Sequence, residues 1–588
     1  MNKTILYYLV GLMLLASAFA ATCGGTMLGE GSVSNPCNIT NCTELQDMRL
    51  NLTANYQLVN DIDCSDTINW NGGNGFISIG NTSGNSLNIN FNGNYYNIYN
   101  LFSKWQTSST SYNPGIFGYL SNADIINLKL TNITIYGGKG GIMYSNTNSN
   151  ISLKNININS SLIYSVHQGA SLISTGSTNG NINITNVSVR MDLNGSGFSS
   201  CAGLLVSATN AIIINSSFEG NINCSQTAGG LVYSIPNLDI INSYSKVNIT
   251  STGLSNGCGG IIGIIDSSKN VNIVNTYSYI KCDGKLTSAG GIISGLLHSA
   301  YSNITLNNTY SYFYYMNSTQ STSSYSDEFG FGCLIGRLVD AGGAENNFSL
   351  KIYNSFAVAD LSNITSVTNG SIIGNVEKKQ RFREFIIDNT FFNNVSSVDH
   401  CYINETDLFY DECTAIQNDE SYFTGTDVAS SEPMASWDFD NVWIATDGYP
   451  ELRAFSATES CTESLVNTSW SDWADISCSG DQMNQSRSLT EYDENECGTY
   501  ENVTYSEYQL IADTSCRADN TLLPAFVEMS NLFGLLVVAI VMGFVIILVA
   551  GMFGYRVMNI DLSSAVLLIV LAAMMLAIGI VVLSQLGI

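Results

Sequence analysis

Two aspartates, Asp61 and Asp63, form the first pair whose spacing could support chemistry. Residues two apart on a strand share a face, and glycoside hydrolysis needs two carboxylates facing one groove. A second acidic group, Asp399, Glu405, Asp407, Asp411 and Glu412, surrounds Cys401 and Cys413. Neither group lies in a catalytic motif. The histidines, His167, His298 and His400, show no HExxH spacing and no nucleophile partner. No cysteine or histidine pairs have zinc-ligand spacing. The reading is a protein that is not an enzyme and carries no cofactor and no metal.

What must position any site is a repeat. A glycine-bracketed apolar phrase recurs roughly every 30 residues. It falls around Ile116, Ile142, Leu172, Leu204, Leu231, Ile261, Ile292, Leu334 and Ile372. After most copies comes a strand-like run ending in asparagine, as in Ile126-Asn127, Ile214-Asn215, Ile241-Asn242 and Val274-Asn275. Apolar and polar residues alternate with no helical period, so the units are coils of strand. Each coil buries its apolar stripe only against its neighbours. The asparagines are expected to stack as a ladder, and the glycines to permit tight corners.

Fifteen cysteines in an exported chain imply disulfides. Cys23, Cys37, Cys42 and Cys64 lie ahead of the repeats. Cys201 and Cys258 each precede a glycine phrase and have a follower at the end of the same coil's last strand, Cys224 and Cys282. Stacking places the end of a coil beside its own start, which predicts Cys201–Cys224 and Cys258–Cys282. Cys401 and Cys413 bracket a short loop and are read as a pair. Cys461, Cys478, Cys497 and Cys516 follow the repeats, and their connectivity stays open among three pairings. Cys333 is left over as a buried free thiol.

The two ends give the location. Residues 1–20 have the layout of a secretory signal peptide, with Lys3, an apolar run and Ala18-Phe19-Ala20 before the cut. Leu532 to Met552 and Ala565 to Leu583 each approach the ~20 apolar residues that span a bilayer. They read as a two-helix anchor within 521–588, with the bulk of the chain outside and Arg556 on the cytoplasmic side. Net charge is −27, which argues against nucleic acid as a partner. The basic cluster Lys378 to Arg383 reads as a solvated face. Asn-x-Ser/Thr sequons recur, among them Asn38, Asn132, Asn183, Asn248, Asn303, Asn363 and Asn467, so the exterior is expected to be N-glycosylated.

The glycine phrase together with Ile241-Asn242-Ser243-Tyr244 and Val274-Asn275-Thr276-Tyr277 resembles GLUG-motif repeat proteins. The flanks resemble them too, from Tyr56 to Tyr95 ahead of the repeats and from Trp437 to Leu452 behind. The resemblance covers about two-thirds of the chain and implies an adhesin-like, right-handed parallel β-helix on a cell surface. Glycine is missing at Ser171-Leu172 and Ser371-Ile372. Further on, Trp470-Ser471-Asp472-Trp473, Cys478, Arg487 and Cys497 resemble a thrombospondin type 1 repeat of archaeal type. That resemblance implies a cation–π stack of Trp470, Trp473 and Arg487 in place of a core. The family usually has six cysteines there and this segment has four.

The expected architecture is mainly β: a signal peptide (1–20), a cap leading into the helix (21–110), β-helix repeats with a closing cap (111–455), a thrombospondin-like module (456–520) and the anchor (521–588). The expected function is attachment, with exposed tyrosines and amide-rich faces binding an extracellular glycan or another cell surface. A self-associating envelope component and a β-helix polysaccharide lyase or hydrolase are the alternatives. Their signatures would be ordered self-assembly and a carboxylate pair converging in a groove.

Overall fold

The computed structural model describes residues 23–82, 84–105, 115–175, 180–195, 200–266, 270–298, 302–315, 330–340, 348–360, 369–376, 382–394, 402–404, 409–410, 414–416, 425–430, 434–455, 465–467, 469–479, 482–493 and 503–512. The chain divides into two compact units, Met1–Ala457 and Thr458–Ile588.

In the first unit the coil strands pair in parallel with the strand one turn before, the strand one turn after, or both. Asn210–Ile214, for example, lies between Asn181–Thr185 and Asn237–Ile241. The register follows the repeat phrase. Backbone amides of Ile116, Leu231, Ile261, Ile292 and Leu334 donate to carbonyls of Ile142, Ile261, Ile292, Leu334 and Ile372. The same ladder takes in the lead-in segment, because the amide of Ile79 donates to the carbonyl of Ile116. Parallel pairing begins earlier still, at Cys37–Ile39 with Tyr56–Leu58. The unit is a solenoid of parallel strands, and among the described strands of its large sheet the one antiparallel pair is Tyr402–Asn404 with Phe409–Tyr410.

Alternation decides what faces inward. Register aligns Phe91, Ile125, Leu153, Ile184, Ile213, Ile240, Ile273, Leu306 and Ile352 in one buried row. Each such side chain contributes roughly 1.5–3 kcal/mol of burial. The outward asparagines form the expected ladder. Asn155 Nδ2 donates to Asn127 Oδ1 at 2.9 Å, Asn186 to Asn155 at 3.0 Å, Asn275 to Asn242 at 3.0 Å and Asn308 to Asn275 at 2.9 Å. Their backbone φ lies between +48° and +55°, a left-handed corner that asparagine tolerates better than other side chains.

The phrase glycines act differently from the corner role expected of them. Gly230, Gly260 and Gly291 do not have positive φ; instead a Cβ at each would overlap the backbone carbonyl oxygen of Gly260, Gly291 or Cys333 in the next coil. Glycine is needed there for the close approach of two coils. Buried Ser245, Ser278 and Ser311 donate to those same three carbonyls. Cys333 occupies the phrase position of these glycines and is buried and unbonded. Burial pushes its thiol well above the usual range.

Disulfides join Cys201 to Cys224 and Cys258 to Cys282, with Cα atoms 6.1 and 6.3 Å apart. Each closes one coil on itself, a constraint that stabilises by about 3 kcal/mol in the chain-entropy description. The leading cysteines pair as Cys23–Cys37 and Cys42–Cys64. The second pair ties down a helix, Cys42–Asp47, capped by Asn41, whose side chain accepts from the Glu44 amide at 3.0 Å. Cys401 and Cys413 lie outside the described residues.

The second unit contains an antiparallel sheet of Leu465–Asn467, Ala474–Ser479, Gln482–Asp493 and Val503–Ala512, with Gln482–Asp493 paired to the other three. Arg487 lies over the rings of Trp470 and Trp473, at 4.8 and 4.7 Å from their centroids. Cys478 is on the second of these strands; Cys461, Cys497 and Cys516 lie outside the described residues. Among the described residues no helix is long and apolar enough to cross a membrane. The signal segment and the apolar stretches 532–552 and 565–583 also lie outside the described residues.

Candidate functional site: an aromatic cleft at the end of the closing segment

The repeat places an aromatic residue two positions after each of five corner asparagines: Tyr244, Tyr277, Tyr310, Phe356 and Phe391. Parallel register sets them one above another. Rings of Tyr244, Tyr277, Tyr310 and Phe356 stack with successive centroids 4.9, 4.7 and 4.9 Å apart and planes within 4°. Two residues further along each strand runs a second row, Arg190, Glu219, Lys246, Tyr279, Tyr312 and Val358. Tyr279 and Tyr312 stack at 4.4 Å.

These rings are not the exposed tyrosines the repeat implied. The closing segment, 434–455, folds back along the ladder and covers it. Trp437 packs on Phe391 and Phe356, Trp443 on Phe356 and Tyr310, Tyr449 on Tyr312, and Phe455 on Tyr277 and Tyr244. Tyr277 and Tyr310 are buried. The segment is shaped by a short hairpin, Trp443–Ile444 with Glu451–Leu452. Backbone and side-chain bonds from Asn441 hold the Asp438 carboxyl below its ordinary range, the backbone bond being the larger cause.

At Phe455 a cleft of about 400 Å³ opens against the solenoid, lined by Lys246, Tyr277, Tyr279, Tyr310, Glu451 and Phe455. Beside it, Glu219 accepts from Arg190 at 2.9 Å and from the Tyr244 hydroxyl at 3.0 Å; Lys246 lies farther off, at 3.9 Å. The Lys246 ammonium rests over the rings of Tyr244 and Tyr279, at 5.3 and 5.9 Å. Such a cleft offers aromatic surface for C–H and cationic contacts, a positive charge, a carboxylate and hydroxyl groups. That is the composition of a small polar-ligand site.

Burial raises the Tyr244, Tyr277, Tyr279, Tyr310 and Tyr312 hydroxyls above the ordinary value of 10.0. A raised acid keeps its neutral form in the folded state. Its stabilising contribution is whole below pH ~10 and is lost as pH rises through the folded values. Alkaline titration is therefore expected to release the closing segment. Phenolate absorbance from these tyrosines should rise together with the loss of solenoid circular dichroism, and ionisation at the ordinary value with structure intact would contradict this.

The other sequence candidates are spread apart. Asp61 accepts from the Asn97 amide at 2.8 Å, and Asp63 from the Ser65 amide at 2.9 Å and from Asn100 at 3.2 Å. Both aspartates are exposed and accept from backbone amides, and the Ser65 amide is the main cause holding Asp63 below its ordinary range. Arg383 of the basic cluster donates to Asn303 at 2.6 Å and to Ser349 at 2.9 Å. His400 and the acids 399, 405, 407, 411 and 412 lie outside the described residues. Among the described residues no three His, Cys, Asp or Glu side chains gather as a metal would require.

Of the sequons, Asn38 accepts from Gln57 at 2.8 Å, Asn132 donates to Asn100 at 2.8 Å, Asn248 to Asn221 at 2.9 Å and Asn303 to Asn270 at 3.0 Å. Asn183 is exposed on its strand and Asn467 lies on Leu465–Asn467; Asn363 is outside the described residues. Sequence reasoning missed the cleft. Its legible signal was the constant offset of the aromatic residue after the corner asparagine, together with two tryptophans in the closing segment.

The molecule is thus mainly β, a long parallel sheet wound into coils and stapled by disulfides. No family model matches the chain, so the GLUG and thrombospondin resemblances stand on the residues alone. A stretch of 121 residues is 36% identical to halomucin of Haloquadratum walsbyi, covering 19% of this chain and 1% of halomucin. Among solved structures an IgA1 protease is similar over 61% of this chain and 21% of its own, at 16% identity and a TM-score of 0.28.

Proposed function

We propose that this is a cell-surface protein acting in attachment, with the aromatic cleft of its solenoid holding an extracellular glycan. The observation that carries the reading is the cleft itself, where Tyr277, Tyr279, Tyr310, Phe455, Lys246 and Glu451 converge. Similarity to halomucin supports a surface role, as do the signal-like segment and the disulfides. In this reading the solenoid is a GLUG-type right-handed β-helix and carries N-glycans. The Trp470, Trp473 and Arg487 stack belongs to a thrombospondin-like stalk module of archaeal type, and the apolar stretches after it are the anchor.

Purified full-length protein should bind intact cells or immobilised polysaccharides saturably and release no oligosaccharides. Phe455→Ala should weaken retention about tenfold, as removing an aromatic anchor does. Absence of retention on every surface would overturn the attachment reading. Ordered self-assembly in its place would favour an envelope role. Released fragments, detected by mass spectrometry, would make it a depolymerase.

A further inference from the structure

The cleft is asymmetric in a way that bears on its ligand. Its positive charge, Lys246, shares Glu219 with Arg190, which lies an ångström closer, at 2.9 against 3.9 Å. Tyr277 and Tyr310 line the same cleft and are more than nine-tenths buried. Burial keeps both hydroxyls protonated at all ordinary pH, so they stay donors. Lys246 and the two hydroxyls are donors among the cleft's lining residues, and Glu451 is the carboxylate of that lining.

The geometry points to an acidic sugar, a hexuronate unit of a polysaccharide, as the ligand: its carboxylate on Lys246 and the two tyrosine hydroxyls, its ring hydroxyls donating to Glu451, and its C–H face on Phe455 and Tyr279. This rests on the glycan reading above. A neutral hexose would add no anion to the 3.9 Å contact of Lys246 with Glu219, and an amino sugar would bring a second cation beside it.

The test uses the full-length protein on polygalacturonate, a neutral glucan and chitosan, each immobilised at equal density. Polygalacturonate should be retained at least about tenfold more tightly than the others, because charge-assisted hydrogen bonds are the strong ones. Lys246→Met should remove about that tenfold preference without changing thermal unfolding, since the side chain is 48% exposed. Tyr310→Phe keeps the stack and removes one donor, and should lower polygalacturonate retention several-fold. Equal retention of the neutral glucan, or no effect of Lys246→Met, would overturn the acidic-sugar assignment and leave the glycan reading standing. Preference for chitosan would also overturn the assignment. Retention of no polymer would remove both.

Discussion

Replacing Trp443 by alanine is expected to cost about 4 kcal/mol, the usual range for emptying a buried tryptophan site. Trp443 is fully buried and packs against Trp437 at 4.5 Å, Phe356 at 5.8 Å and Tyr310 at 6.1 Å. Its indole N–H has no acceptor among the described residues. The loss is therefore one of packing, and Trp443→Phe should recover most of it. Solenoid stability is a sum of neighbour terms, so the damage should stay local. Hydrogen exchange followed by mass spectrometry should show lost protection in the coils bearing Tyr244 to Phe391 and unchanged protection around Cys37 to Ile184. Uniform loss along the solenoid would contradict the covering role of the closing segment. Glu451 and Phe455 belong to the same segment, so Trp443→Ala should also abolish ligand retention.

A single methyl at Gly260 is expected to be nearly as damaging. A Cβ there would overlap the Gly291 carbonyl oxygen and the Ser278 hydroxyl that bonds it. Backbone cannot yield as a flexible side chain does, so Gly260→Ala should cost about 3 kcal/mol by overpacking. The lost Ser278 hydrogen bond adds to this. Gly295 is the control: the nearest atom to its Cβ is Ser288 Oγ at 3.6 Å. Gly295→Ala should be close to neutral in the same thermal or chemical denaturation assay. Equal effects at the two sites would mean that coil spacing is not what selects glycine in the phrase.

The solenoid was legible because its determinants repeat locally. Alternation within each strand names the inward row from Phe91 to Ile352, and an asparagine at each corner has both the left-handed tolerance and the amide to stack on its neighbour. The pairing of Cys201 with Cys224 and of Cys258 with Cys282 follows from coil length. The role of the phrase glycines was misjudged, since a corner and a close approach both select glycine and sequence does not tell them apart. Asp61 and Asp63 share strand spacing with a catalytic pair, yet each accepts from a backbone amide, Asn97 at the start of a strand and Ser65 at the start of a 3-10 helix. That engagement depends on Asn97 and Ser65, which spacing does not disclose.

The cleft was legible only in pieces. Tyr277, Tyr279 and Tyr310 sit in a repeat that reads as an exposed ladder, and Lys246 reads as one surface charge among several. The sequence by itself determined the coil, its stacking direction within the sheet, its apolar interior and its amide ladders. Each depends on residues close in sequence, or on the same position one repeat away, so periodicity carries the information. Only the tertiary structure decided that the closing segment returns along the aromatic row and sets Phe455 against Tyr277 and Tyr244. That contact joins residues far apart in the chain that share no period, and the apolar area gained by covering the rings selects it.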